Sequence, residues 1–134
     1  MNWLILVAIV AAGTLSTFTD WLFMGVLFHD RYMKYPEVWW PNIREKGDNR
    51  AIILSSIFCY LTSAAIILLC MFIGANDIFP ALCVSFLAWV AGPLVIQITN
   101  AFWIKSDPAV NAAHAAGYLA RFLISGLAAA IVLP

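Results

Sequence analysis

The sequence predicts an all-α integral membrane protein, a single domain folded as an up-down bundle of four transmembrane helices. Three observations carry this. Hydrophobic residues make up 64% of the 134 residues and charged residues only 10%, where soluble domains carry about a quarter charged. The apolar residues gather in long stretches, against the roughly 20 residues needed to cross a hydrocarbon core about 30 Å thick. Threading those stretches back and forth brings Arg31, Lys34, Arg44, Lys46, Arg50 and Lys105 to one side, with Arg121 entering the bilayer from that side. A basic excess in short loops marks the cytoplasmic face. The expected placement is therefore a bacterial inner (plasma) membrane, with both termini outside and the basic loops inside.

Helix one is expected over residues 3–28, interrupted only by Asp20. It is not read as a secretory signal: no basic n-region precedes it, and Asp20-Trp21 stands where a small-residue cleavage site would be needed. Residues 29–50 form a polar loop in which Tyr32, Tyr35, Trp39 and Trp40 alternate with Arg31, Lys34, Glu37 and Arg44. Amphipathic aromatics favour the headgroup layer, so the loop should lie along the interface, and Pro36 and Pro41 argue against one continuous helix.

Helices two (51–75) and three (78–104) should form a hairpin through Gly74-Ala75-Asn76-Asp77. Pro80 falls in the first turn of helix three, where its missing N–H is harmless. Gly92-Pro93 should kink that helix and free carbonyls that neighbours must satisfy. Helix four (109–133) starts cleanly, with Asp107 as N-cap and Pro108 as first helical residue. Its many small residues, among them Ala113, Gly117 and Gly126, allow close approach by neighbours.

Helix four also carries the sharpest polar pattern. Asn111, His114, Tyr118, Arg121 and Ser125 recur at helical spacing and share one face. An arginine inside a span faces the bundle and takes a partner, and Asp20 is the acidic residue within the other spans. At about 1.5 Å per residue from the helix ends, Asp20 lies ~12 Å deep and Arg121 ~16 Å. An Asp20–Arg121 ion pair is the main structural expectation. Gln97, Asn100, Thr17, Ser55, Ser56, Cys59 and Tyr60 collect at similar depth, while the other half of the bundle is aliphatic and aromatic. This implies a polar cavity open toward the cytoplasm, with Asp20, Gln97, Asn100, His114, Tyr118 and Arg121 as ligand-binding residues. Set against it is a purely structural pair that only fixes which helices associate.

Other chemistries have less in their favour. His29, Asp30 and His114 lie at one level and could in principle hold a divalent metal, though at no familiar ligand spacing. Cys59, Cys70 and Cys83 show no metal or redox spacing, and Cys70 and Cys83 flank the hairpin turn at equal depth; inert buried thiols are the default. No nucleophile elbow, zinc-protease motif or phosphate loop is present, so no catalytic residue or cofactor is assigned. Zero net charge gives no reason to expect a nucleic-acid partner.

The Asn2-Trp3 opening, the aromatic run Trp21-Leu22-Phe23-Met24-Gly25-Val26-Leu27-Phe28, and Asn111, His114, Gly117-Tyr118 and Gly126 resemble the DUF1761 family of small four-helix membrane proteins. That resemblance implies the four-helix fold and no activity. Three functions follow for testing: a bundle that binds or helps move a small polar or anionic ligand, an accessory subunit of a homo-oligomer or larger membrane complex, and an enzyme on a lipid-like substrate. Membrane lipids are partners in all three.

Overall fold

Helices need local reasons to start and stop, and here the ends are set where the sequence places them. The computed structural model describes residues 3–32, 34–38 and 49–134. Among these residues, four helices are long and apolar enough to cross a membrane: helix one Trp3–Leu27, helix two Asn49–Ile73, helix three Ile78–Trp103 and helix four Pro108–Val132. Asp107 caps helix four by accepting the Ala109 N–H at 2.8 Å, with Pro108 in the first turn. Gly74, at φ 71°, ends helix two. The Ala75 N–H reaches back to the Cys70 carbonyl at 2.9 Å and the Gly74 N–H to that of Met71 at 3.3 Å. That is a Schellman closure, and it leaves room for a short turn into helix three.

Two of the helices widen. Pro93 lies within a π-helical turn, Val90–Leu94, so the expected kink takes the form of a wider turn. A proline has no N–H to give and its ring crowds the carbonyl four residues back, and a wider turn accommodates both. Helix one is α-helical over Trp3–Asp20 and then π-helical over Trp21–Leu27. The Phe28 N–H accordingly bonds the Phe23 carbonyl, five residues back, at 3.0 Å. Nothing in the sequence pattern announces this second widening.

Helix four is the centre of the bundle. It packs against each of the other three helices, whereas helix three packs chiefly on helix four. Its buried residues Ala113, Gly117, Arg121, Ser125 and Ala129 recur every fourth position, joined by Gly126. Small side chains at most of these let three neighbours approach one helix. A Cβ on Gly126 would overlap Ser85 Oγ and sit 2.9 Å from the Ala81 carbonyl oxygen of helix three. Away from the basic loops, Ile5, Ala8, Ile66, Ile67, Cys70, Ala81 and Ala129 form an apolar core. Outward faces are apolar too, with Phe102 82% and Trp103 85% exposed, as lipid contact requires.

At the basic end, a single helical turn (His29–Tyr32) and a 3₁₀ turn (Pro36–Val38) follow helix one. Lys34 Nζ donates to Asp107 Oδ2 at 2.9 Å and Arg31 stands 3.9 Å from the same oxygen. Lys105 Nζ reaches Glu37 Oε1 at 2.7 Å, and the Lys34 and Lys105 ammonium groups flank the Tyr35 ring at 5.5 and 4.9 Å. The hydrogen bond from Lys34, and then that from the Ala109 N–H, holds the Asp107 carboxyl below its ordinary 3.8. Asp107 in turn holds Lys34 above its ordinary 10.5. The segment is strapped to the junction of helices three and four. The interfacial loop expected around Trp39, Trp40, Pro41, Arg44 and Lys46 lies outside the described residues.

Candidate functional site: a buried ion pair beside a cleft

Arg121 and Asp20 meet. Arg121 Nη2 donates to Asp20 Oδ2, joining the central helix to the last α-helical residue of helix one. The two side chains are 8% and 16% exposed. A lone guanidinium or carboxylate at this depth would face a large desolvation cost, which the pairing offsets. Gly117 lies beside the pair, and a Cβ there would meet Asp20 Oδ1 at 3.6 Å, an ordinary contact.

Other groups extend the pair in both directions. The Cys59 thiol of helix two lies 3.4 Å from Asp20 Oδ2 and 3.5 Å from the Ser55 carbonyl oxygen, and can give its one proton to either. On the other flank the Arg121 guanidinium sits over the Tyr118 ring at 4.9 Å. Tyr118 stacks on His114 with ring centroids 6.1 Å apart, and His114 Nε2 shares a hydrogen bond of 3.0 Å with the Tyr32 hydroxyl. The result is a continuous internal cluster, Tyr32, His114, Tyr118, Arg121, Asp20 and Cys59. Burial pushes the Tyr32 phenol well above its ordinary 10.0, with smaller contributions from Tyr118 and Asp20. Within the cluster Asp20 Oδ1, His114 Nδ1 and Arg121 Nε have no hydrogen-bond partner among the described residues.

A cleft of about 530 Å³ runs beside this cluster, between helices one and two, with His114 of helix four at its floor. Asp20, Thr17 and Cys59 line its inner part, Trp21, Met24 and Ile52 its walls, and His29 its end nearest the basic loop. The π-helical turn of helix one contributes Trp21, Met24 and Gly25 to the lining, and the α-helical part before it contributes Thr17 and Asp20.

The expected site residues divide. Asp20 and His114 line the cleft. Tyr118 and Arg121 belong to the cluster but not to the cleft wall, because Asp20 stands between Arg121 and the space. Gln97 and Asn100 are half-buried on helix three and do not line it. Helix three packs chiefly on helix four, whereas the cleft lies between helices one and two. Thr17, Ser55, Ser56 and Cys59 do line it, and Tyr60 instead packs across Gly13 with its hydroxyl 3.2 Å from Thr14 Oγ1. Asn111 is spent on Ser106 at the helix start and Ser125 bonds Ser63 at 3.0 Å, so the polar face of helix four serves three separate tasks. His29 and His114 both line the cleft, Asp30 does not, and among the described residues no cluster of three metal-ligating side chains forms. Cys59, Cys70 and Cys83 are free thiols.

Sequence reasoning had not marked Tyr32 or Trp89 as part of this arrangement. Trp89 Nε1 donates to the Ala115 carbonyl at 2.9 Å and pins helix three to helix four beside the cluster. An aromatic donor opposite a small-residue stretch was the only available signal. No family model, curated protein or solved structure matches this chain.

Proposed function

We propose that this integral membrane protein binds a small ligand in the cleft between helices one and two, next to the Asp20–Arg121 pair. One observation carries the reading: a space of about 530 Å³ runs beside the buried polar cluster, with Asp20, Cys59 and His114 in its lining. Ligand sites in proteins occupy roughly 300–1,000 Å³ and combine mostly apolar walls with a few placed polar groups. The basic end faces the cytoplasm by the loop-charge rule, so the cleft lies in the cytoplasmic half of the membrane.

Extraction of the protein in mild detergent, followed by identification of retained small molecules, tests the reading. The variant Ser55→Trp fills the cleft from an exposed position and should release what the native protein retains. Identical small-molecule content in the two proteins would overturn the proposal.

A second reading, an accessory subunit, is favoured by helix three. Gln97 and Asn100 share one of its faces, and neither side chain has a hydrogen-bond partner among the described residues. Amide side chains within a bilayer associate with other helices. Cross-linking in native membranes through a cysteine at position 97 should then capture a neighbouring helix; a clean monomer argues against this reading.

A further inference from the structure

We infer that the occupant of the cleft is an alkyl chain of a bilayer lipid, entering sideways between helices one and two with its headgroup at the level of His29. This rests on the reading of the cleft as a binding site and names the ligand's class. The argument begins with charge. The ionic group lining the inner cleft, Asp20, is already paired with Arg121, which stands behind it and not in the wall. A charged ligand head at that depth would find no free counter-charge and would bear its desolvation cost alone.

Most hydroxyls there are also committed, Tyr32 to His114 and two others to backbone, which leaves that of Ser55 on the exposed face of helix two. Thr17 Oγ1 donates to the Gly13 carbonyl and Ser56 Oγ to that of Ile52, each at 2.9 Å. The three partnerless atoms of the cluster are themselves buried, facing protein and not open space. What remains accessible is chiefly Trp21, Met24, Gly25, Ala51 and Ile52, an apolar wall.

Shape and position point the same way. The cleft follows helix one from Thr17 through the π-helical turn to His29 beyond its end, an extended course suited to a chain. Its flank is open, since Trp21 is 57% and Ile52 63% exposed, and the surface around it is apolar. In a bilayer that flank meets hydrocarbon, which enters such a space without leaving an apolar phase. At the other end, His29 is exposed next to the segment that carries Arg31 and Lys34, where a headgroup belongs.

The test uses the full chain in lipid nanodiscs and two photoactivatable probes: a phosphatidylcholine with a diazirine on one acyl chain, and a diazirine-bearing decanol. Adducts are mapped by mass spectrometry. The expected result is that the phospholipid labels Met24 and Cys59 inside the cleft, that excess unlabelled lipid competes this labelling away, and that Ser55→Trp abolishes it. Labelling of the outward residues Phe58 and Leu61, 56% and 61% exposed, should persist in that variant and so reports that it is folded. Cleft labelling by decanol but not by phospholipid would overturn the lipid assignment and leave the binding reading standing. Failure of both probes to reach Met24 or Cys59 would overturn both.

Discussion

Arg121 on the central helix is held by Asp20 on helix one, with the Tyr118 ring against its guanidinium and the Cys59 thiol at the same carboxylate oxygen. One ion pair thus ties together helices one, two and four. Its worth is asymmetric: the pair offsets its own desolvation, whereas either charge alone does not. Arg121→Leu or Asp20→Leu should each cost about 3–5 kcal/mol. The double variant should recover much of that, because two apolar side chains replace two matched charges. Thermal unfolding in one detergent, run as a double-mutant cycle, gives the answer. Additive losses would show that the charges do not depend on each other.

The glycines of helix four should respond unequally to alanine. At Gly126 the new methyl would meet Ser85 Oγ and the Ala81 backbone oxygen, and backbone cannot swing aside. At Gly117 the nearest atom is Asp20 Oδ1, at an ordinary 3.6 Å. Gly126→Ala should therefore cost about 1–3 kcal/mol through overpacking and loosen helix three from helix four. Gly117→Ala should be near neutral, the higher helix propensity of alanine working in its favour. Equal melting temperatures for the two variants would contradict the packing described.

The strap at the basic end should depend on pH in a definite direction. Asp107 has a folded-state pKa below its ordinary 3.8, caused first by the Lys34 hydrogen bond and next by the Ala109 N–H. Its contribution is present above 3.8 and disappears as pH falls through the depressed value. Lys34 has a pKa raised above 10.5 by Asp107, so its contribution is present below 10.5 and disappears as pH rises through the raised value. Between those limits the strap stays closed. Hydrogen exchange at residues 34–38 should be slow within the window and quicken in acid. Asp107→Asn keeps a competent helix cap but removes the ion pair, so exchange should be fast throughout and the acid step absent.

How far this could be read from sequence depended on which coordinate was asked for. Span lengths, the Gly74 turn, the Asp107-Pro108 start and the depth match of Asp20 with Arg121 follow from counting residues, and the structure agrees with all four. Rotation about the helix axis does not follow from counting. Gln97 and Asn100 do not line the cleft, and hydropathy in a membrane helix gives little sense of azimuth because both lipid and protein neighbours are apolar. The π-helical Trp21–Leu27 compounds this. A wider turn shifts residues beyond Asp20 relative to an α-helical count, although Trp21 and Met24 still share the cleft-lining face with Thr17. Tyr32 was hidden for another reason: it returns to His114 from outside the helix, where no periodicity applies.

Tyr32 supplies the last expectation. Its hydroxyl is the partner of His114 Nε2 at 3.0 Å, its ring meets that imidazole edge-on at 5.5 Å, and burial holds its phenol well above 10.0. The neutral phenol is the form the folded state favours. As pH rises past 10.0 an unfolded chain would release this proton and the folded one would not, so the unfolded state then binds fewer protons and stability falls with pH. In ultraviolet titration of the folded protein one tyrosine should resist ionisation where exposed phenols titrate, and Tyr32→Phe should remove that late component. The same variant leaves both imidazole nitrogens of His114 without a partner, which should cost about 1–3 kcal/mol. His114→Phe paired with Tyr32→Phe should cost less than the sum of the two single changes, because no buried polar group is then stranded. Full additivity would mean that the two rings do not bond.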